Sequence, residues 1–410
     1  MGKVTTHGKF GVSLTLDSGE IYIGASEIEK VYFVEDIFSY CITGKILFND
    51  RQGLLEFGPL TGNEKINITY GIDSDTTLTF DLYKINRIIP TWSEGRGMEN
   101  FVEILFVDEM FYKLTEQQYS ISWKDKKYSD IVDHIVDEIL EPDKKERWEG
   151  SIEEIEYFNM PYWTPKQTID WLMARCRGDD SGVPGFLMYN NVVDGEVSTN
   201  FVTLETLMDD EEMLDAHGSH DYHFHSGLDI DYNKIISYNM SGIDNHERMK
   251  LRGGTPMGYD IERKKFIKEP KDYQDGIDEF TLLGRHSLYK NISEVDSKFY
   301  YTAEKEEDIL ENIILNKWVK QYANQQMMSI VVMGHENRYA GGMIEIDWPS
   351  SSKDEIYNKV FTGKYLVKSL INKWGSGNPY WQQKMVLIKN AFEDSDNSEL
   401  VKASKMNLGA

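Results

Sequence analysis

Four histidines within nine residues form the densest cluster of potential metal ligands in the sequence. The segment HGSHDYHFH carries imidazoles at His217, His220, His223 and His225. Imidazole binds zinc and nickel, so this composition permits a transition-metal site. The spacing argues against one, because no two of these histidines are four residues apart and no cysteine lies nearby. A surface junction between two modules explains the cluster better, and a metal site shared around the axis of a closed oligomer is the alternative.

The other titratable residues form no recognisable catalytic motif. Carboxylate pairs such as Asp179-Asp180 and Glu153-Glu154 are frequent in an acidic chain and are typical of solvated faces. The sequence contains no GxSxG, HExxH, Walker or GxGxxG motif. We therefore predict that the protein is not an enzyme and has no catalytic, cofactor-binding or metal-ligating residue. A cell-wall hydrolase that uses the histidine cluster is the alternative from the enzyme class.

Composition predicts a folded protein of two to four domains with an acidic surface. The chain has 410 residues, of which 40% are hydrophobic, and a formal net charge of −25. Duplex DNA is bound through clusters of Lys and Arg, so specific DNA binding is not expected. The charge either provides solubility or keeps a surface close to DNA without adhesion, and composition does not choose between the two.

The sequence predicts neither a membrane span nor a secretion signal. Its apolar runs are too short to cross a bilayer, and the segment MGKVTTHGKF lacks the apolar region of a signal peptide. Cys41 and Cys176 are far apart in the sequence. We expect both to be buried free thiols of a reducing compartment.

The stretch 33–70 gives the clearest indication of the fold. It consists of short strands separated by turn residues at 49–53, 58–59 and 62–63. Over 65–70, Ile66, Ile68 and Tyr70 alternate with Lys65, Asn67 and Thr69, as in a strand with one wet face. Similar alternation extends through the first 118 residues and predicts a small antiparallel barrel or sandwich.

The next hundred residues switch to helical spacing. Apolar residues over 128–140 predict a helix with Ser129 as its N-cap and Pro142 just after its end. Thr164, Pro165 and Gln167 form a capping box that begins a second helix, which Gly178 ends. Strands over 185–189 and 201–204 follow. We therefore expect an α+β module over about 119–222.

Strand alternation returns from about residue 228. A polar, Gly- and Lys-rich stretch over 247–297 interrupts it and is expected to be an insertion with little regular structure. A long amphipathic helix is predicted over 303–324, followed by strands near 328, 344, 365 and 385. The tripeptide Thr-Gly-Lys begins a strand in both strand-rich regions, at Thr43 and at Thr362, which raises the question of two related barrels.

Three blocks together resemble the baseplate hub proteins of contractile-tailed bacteriophages, whose tube-domain fold is shared with the N-terminal part of type VI secretion spike proteins of the valine-glycine repeat group. The blocks are NDRQGLL with GPLTGNE at 49–55 and 58–64, YWTP with GFLMY at 162–165 and 185–189, and GGMIEIDWP with FTGKYLV and YWQQKMVLIK at 341–349, 361–367 and 380–389.

The resemblance implies an α+β, predominantly β fold. Two tube-like antiparallel β-barrel domains, at 1–118 and at 223–246 with 298–392, would be joined by an α+β linking domain at 119–222. The second barrel domain would include the long helix. An insertion at 247–297 and a flexible acidic tail at 393–410 complete the expected organisation.

The resemblance also implies a structural role in the virion tail baseplate, assembled in the cytoplasm of the host bacterium. A homotrimer would connect the hexameric ring of tail tube protein to a trimeric spike, next to other baseplate proteins and the tape-measure protein. DNA would pass through its channel without specific binding, and acidic side chains on the channel wall would favour this passage. The hub of a type VI secretion system, a tailocin or another contractile injection device is the alternative. No membrane partner is implied.

Overall fold

The computed structural model describes residues 9–57, 60–72, 75–93, 97–209, 221–224, 231–240, 254–260, 263–268, 298–301, 307–322, 327–350, 358, 361–375 and 378–389. The first module contains one short helix, α1 (Leu54–Phe57). Its strands are β1 (Lys9–Leu16), β2 (Gly19–Ile23), β3 (Ile28–Asp36), β4 (Thr43–Asn49), β5 (Lys65–Gly71), β6 (Thr76–Ser93) and β7 (Gly97–Val107). Along these strands, apolar residues at alternate positions point into one core. Ile66, Ile68 and Tyr70 on β5 are an example.

The linking module packs helices against small sheets. Its helices are α2 (Met110–Thr115), α3 (Tyr128–Ile135), α4 (Pro165–Met173) and α5 (Leu204–Asp209), and its strands are β8 (Ser122–Lys127), β9 (Lys144–Trp148), β10 (Glu154–Asn159), β11 (Phe186–Val193) and β12 (Glu196–Thr203). The capping box of α4 is confirmed, since Gln167 N–H donates to Thr164 Oγ1 at 3.3 Å and Thr164 N–H donates to Gln167 Oε1 at 3.0 Å. Helix α4 ends at Met173, before Gly178.

The predicted N-cap of α3 is wrong. Lys127 occupies the N-cap position, and Ser129 lies inside the first turn. The Ser129 hydroxyl instead accepts a hydrogen bond from Ser151 N–H at 3.0 Å, while Ser129 N–H donates to Ser151 Oγ at 3.0 Å. This reciprocal pair ties the helix to the chain after β9. Beyond α3, the chain continues as a π-helical turn over Val136–Leu140 and ends in a left-handed residue, Glu141.

The last module is strand-rich with one long helix, α6 (Glu307–Tyr322). Its strands are β13 (Asp221–Tyr222), β14 (Ser237–Met240), β15 (Gly254–Asp260), β16 (Lys265–Lys268), β17 (Lys298–Tyr301), β18 (Met327–Met333), β19 (Met343–Ile346), β20 (Gly363–Gly375) and β21 (Asn378–Lys389). The expectation of little regular structure over 247–297 is wrong for 254–260 and 265–268, because β15 and β16 form an antiparallel pair there. The tail over 393–410 lies outside the described residues.

The two strand-rich modules share one 13-stranded sheet. Its path runs β14-β18-β21-β20-β3-β4-β7-β6-β5-β1-β2, and the antiparallel pair of β20 with β3 joins the modules. The predicted class, predominantly β with antiparallel sheets, is confirmed. The modules are not closed barrels, because within the described strands the path stays open from β14 to β2. The predicted domain boundaries remain predictions.

Four apolar clusters fill the space on one side of this sheet and between the modules. One lies in the first module, one in the linking module and one among β18–β21. The fourth brings together residues of all three regions, such as Ile37, Leu187 and Leu366. Cys41 and Cys176 are buried in the linking cluster as free thiols. No helix within the described ranges is long and apolar enough to cross a membrane.

Candidate assembly surface

The pair of β6 and β7 extends well beyond the rest of the sheet. Strand β5 pairs with β6 only as far as Asp81, and β4 pairs with β7 only from Phe101 onwards. Past these points β6 and β7 continue to pair with each other as far as Ser93 and Gly97. We call residues 82–93 and 97–100 the hairpin extension. Both of its outer edges carry backbone groups that no other described strand pairs with.

Large apolar side chains are exposed on this extension. Trp92 is 76% exposed, Ile88 48% and Ile89 39%. An open strand edge that carries apolar side chains is a template for pairing with another chain. This segment was not predicted to be a functional surface. Its signal was the run Ile88-Ile89-Pro90 with Trp92, in which apolar residues occupy both faces of a strand instead of alternating.

The other face of the shared sheet is wet, as the alternation over 65–70 predicts. Asn67 connects three strands there, since its Nδ2 donates to Thr15 Oγ1 at 2.9 Å and its Oδ1 accepts from Thr79 Oγ1 at 2.9 Å. The turn at 49–53 is different, because the Asp50 carboxylate points inward and accepts from Leu54 N–H at 2.7 Å. Arg51 and Gln52 are the exposed part of that turn.

Cations dominate two neighbouring rows across the wet face. Directly paired residues define the first row as Lys84, Leu105, Lys45, Tyr32, Lys373 and Gln382, and the second as Arg87, Glu103, Leu47, Lys30 and Gly375. Glu103 is the single carboxylate in them. A channel wall made from these rows would be basic, unlike the acidic wall that we expected to favour the passage of DNA.

Glu103 is the electrostatic centre of these rows. Its side chain is 2% exposed, Lys45 Nζ lies 2.7 Å from Oε2, and Arg87 Nη2 lies 3.2 Å from the same oxygen. Burial by itself raises the pKa of Glu103, but the hydrogen bonds from Lys45 and Asn86 and the charge of Lys45 outweigh it and lower this pKa to about 2. The ionised carboxylate therefore holds β4, β6 and β7 together.

Replacing Glu103 with glutamine should lower the free energy of unfolding by about 2 kcal/mol near neutral pH. A carboxyl whose pKa is lower in the folded than in the unfolded state stabilises the fold above its unfolded pKa, here 4.5, and loses this effect as the pH falls towards 2. Urea unfolding of parent and variant should therefore differ near neutral pH, and the difference should shrink below pH 4.5 and vanish towards about pH 2. An equal difference at both pH values would contradict the assigned role.

A buried carboxylate lies where the modules meet. Glu35 on β3 is 1% exposed, and its Oε2 accepts from Val192 N–H at 3.3 Å and from Ala340 N–H at 3.2 Å. Asn372 Nδ2 donates to Oε1 at 3.4 Å. Burial raises the pKa of Glu35 to about 8, and the hydrogen bonds from Ala340 and Val192 offset only part of that effect. The carboxyl thus contacts all three parts of the chain and is largely protonated near neutral pH.

Polar contacts continue from Glu35 through the core as a line that we call the polar seam: Glu35, Asn372, Gln383 and Arg338. Gln383 Nε2 donates to Asn372 Oδ1 at 2.9 Å, and Arg338 Nη1 donates to Gln383 Oε1 at 2.9 Å. Arg338 is 6% exposed and also donates to Tyr222 Oη at 2.6 Å and to the Tyr232 carbonyl at 2.7 Å. Because these bonds are directional, they fix how β3, β20 and β21 sit against the loop before β19.

The histidine cluster falls mostly outside the described residues, which contain only His223. Its Nε2 lies 2.7 Å from Asp231 Oδ2, so this histidine contacts a carboxylate of the following segment. His217, His220 and His225 lie outside the described ranges. The prediction of a junction and its metal-binding alternative both stay open.

Among the residues that the structure describes, one group of carboxylates has the spacing of metal ligands. Ligand oxygens of Glu149, Asp179 and Asp180 lie within 4.8 Å of one another. Glu149 is buried and already accepts hydrogen bonds from Ser181 N–H at 3.2 Å and from Thr203 N–H at 2.8 Å. Asp179 and Asp180 are exposed. These hydrogen bonds account for the position of Glu149 without a metal.

Comparison with known proteins places the fold. No protein-family model and no curated protein sequence matches the chain. The 43 kDa tail protein of prophage MuSo2 from Shewanella oneidensis aligns with a TM-score of 0.53 and 7% identity, over 93% of this chain and 98% of that chain. The tail protein from Neisseria meningitidis MC58 aligns with a TM-score of 0.54 and 10% identity, over 95% and 97% of the two chains. The chain therefore has the fold of these tail proteins over nearly its whole length, which confirms the baseplate hub fold predicted from its sequence.

Proposed function

We propose that the chain is the central hub of a contractile-tail baseplate, a structural protein of the virion. Three copies form a ring that connects the hexameric tail tube to the trimeric spike, and DNA passes through its channel. The observation that carries the proposal is the match to two tail proteins over 98% and 97% of their own lengths. A whole-chain correspondence includes both strand-rich modules and the module between them.

The shared sheet suits this role. Pairing of β20 with β3 places the two strand-rich modules side by side in each copy, so that three copies supply six of them. One type of contact between copies, repeated around a three-fold axis, then closes the ring. The polar seam makes each copy a rigid unit, because it spans the junction of the modules.

The hairpin extension is the contact between copies in this proposal. Its open edges accept a strand from the neighbouring copy, and Ile88, Ile89 and Trp92 become buried there. Within the described strands, the shared sheet ends in short strands on both sides, β2 with five residues and β14 with four. The extension is therefore the longest open edge of this sheet. We assign a second copy of the chain as the partner that pairs with it. Copies joined in this way continue one sheet around the ring.

Electron microscopy of the purified protein tests the proposal. Two-dimensional class averages of the chain, alone or mixed with its spike protein, should show rings with three-fold symmetry and a central opening. A protein that stays monomeric in both preparations and hydrolyses peptidoglycan would overturn the hub function and favour the enzyme alternative.

A further inference from the structure

Three lysines form a diagonal stripe across the wet face of the shared sheet. Lys384 on β21, Lys373 on β20 and Lys30 on β3 occupy neighbouring strands, and each step along the stripe also moves two residues along the strand. Diagonal neighbours of this kind are about 7–8 Å apart. Lys373 and Lys384 are exposed and Lys30 is half-buried, with its Nζ 4.9 Å from the centre of the Tyr32 ring.

The stripe is a local excess of positive charge on an acidic protein. Within the described part of the chain, none of these three lysines forms an ion pair with a carboxylate, whereas Lys45 on the next strand is paired with Glu103. The formal net charge of the chain is −25, so a free polyanion such as duplex DNA is repelled by the molecule as a whole. A ligand for the stripe must be anionic and must overcome this repulsion.

The segment 393–399 of this same chain has the required chemistry. Its sequence is EDSDNSE, with carboxylates at Glu393, Asp394, Asp396 and Glu399. Alternate residues of an extended chain are about 6.6–6.8 Å apart, which is close to the spacing of the stripe. A tethered segment acts at an effective concentration in the millimolar range, so weak charge pairs suffice where a free anion would not bind.

The chain between β21 and the segment 393–399 is long enough for the segment to reach the stripe. Strand β21 ends at Lys389, so Glu393 follows it by four residues and can lie about 13 Å from its end. Lys384 is five residues before the end of the strand, about 17 Å back along it. The chain after Lys389 is therefore long enough for residues 394–399 to reach Lys384 and Lys373.

We propose that the acidic segment 393–399 docks on the lysine stripe of Lys30, Lys373 and Lys384, either in its own copy or in a neighbouring one. The segment covers the basic part of the wet face and neutralises it. The wet face thereby presents less positive charge to anything that passes over it. The inference concerns the chain itself and does not depend on the hub function.

Zero-length cross-linking of the full chain tests the proposal, because a carbodiimide joins a carboxylate to an amine only when the two are in contact. Mass spectrometry should find cross-links from residues 393–399 to Lys373 and Lys384 at a yield about tenfold or more above those to Lys126, an exposed lysine on β8. The preference should disappear in about 0.5 M NaCl. Mixing isotope-labelled and unlabelled protein separates contacts within a copy from contacts between copies, and either result supports docking.

Two outcomes would overturn the proposal. The first is an equal yield of cross-links to Lys126 and to the stripe. The second is binding of a labelled DNA duplex by the parent chain that the double variant Lys373→Gln/Lys384→Gln abolishes, since the stripe would then belong to nucleic acid. Lys30→Gln is the matched control, because it weakens the stripe and leaves all four segment carboxylates and the amines of Lys373 and Lys384 able to react; it should lower the yield of cross-links to Lys373 and Lys384.

Discussion

Replacing Glu35 with glutamine is expected to abolish a large pH-dependent loss of stability. The pKa of this buried carboxyl is about 8 in the folded protein, against an ordinary value of 4.5. Between these two values the unfolded chain releases the proton while the folded chain retains it, so the unfolded state gains stability as the pH rises. Each pH unit costs about 1.4 kcal/mol, and the whole interval costs on the order of 4–5 kcal/mol.

Thermal unfolding from about pH 5 to pH 9 measures this effect. The parent should lose melting temperature steadily up to about pH 8, and Glu35→Gln should lose much less, so that the variant is the more stable protein at the alkaline end. The same replacement at Glu56, an exposed residue of α1, should leave the slope of the parent unchanged. Identical pH profiles for the parent and Glu35→Gln would show that the carboxyl does not titrate with a raised pKa.

Ionisation of Glu35 affects the junction of the modules. Glu35 accepts hydrogen bonds from three parts of the fold. The donors are Val192 on β11, Ala340 in the loop that precedes β19, and Asn372 on β20. Ionisation at this position places a charge in a buried site, among the contacts that hold the two strand-rich modules side by side, and the desolvation of that charge destabilises the junction. The assembled form of the protein is therefore expected to be most robust below about pH 8.

Local features of the fold were predictable from the sequence because they depend on residues a few positions apart. The alternation over 65–70 defines which face of β5 is buried, and Thr164 with Gln167 defines where α4 begins. Ser129 shows the limit of this approach. Serine is a favoured N-cap residue near the start of a helix. Here, however, the Ser129 hydroxyl accepts a hydrogen bond from the N–H of Ser151, which lies 22 positions away in the sequence.

Long-range features were not predictable in the same way. The pairing of β3 with β20 joins residues more than 300 positions apart, such as Phe33 and Asn372, and no local pattern encodes that register. Two barrels were therefore expected where one shared sheet exists. The lysine stripe has the same origin, since Lys30, Lys373 and Lys384 become neighbours only through this register.

Glu35 was open to prediction and was missed. Val31 and Phe33 precede it at alternate positions and are both fully buried, so the period of β3 already places a carboxylate on the inward face. A charged residue at an inward position of a strand indicates either a buried polar network or a wrong register. The structure shows that a buried polar network, the polar seam, includes this carboxyl.

The double variant Ile88→Ser/Trp92→Ser is expected to dissociate the proposed ring while leaving each copy folded. Both side chains are exposed in the single chain, at 48% and 76%, so their loss removes little from its core. Truncation of an aromatic anchor in an interface costs about 2–4 kcal/mol, and this cost recurs at each contact of a closed ring. The dissociation constant for self-association should therefore rise by about a hundredfold or more.

Sedimentation velocity over a range of concentrations measures this change, with circular dichroism as the check on folding. Tyr157→Ser is the matched control, because Tyr157 is 59% exposed on β10 in the linking module, away from the hairpin extension. The control should associate like the parent. Parent and double variant with the same distribution of oligomers at every concentration would exclude the extension as the contact between copies.

An uncovered hairpin extension would be prone to pair with other chains. A hairpin with both edges open and apolar side chains on its surface pairs with whatever strand it meets, and native proteins cover or charge such edges. Here Lys84 and Arg87 lie near the base of the extension, while Ile88, Ile89 and Trp92 further along carry no charge. A chain that exposes Ile88, Ile89 and Trp92 on an open strand edge needs a partner for them, and a ring in which every copy covers its neighbour's extension leaves none of them exposed.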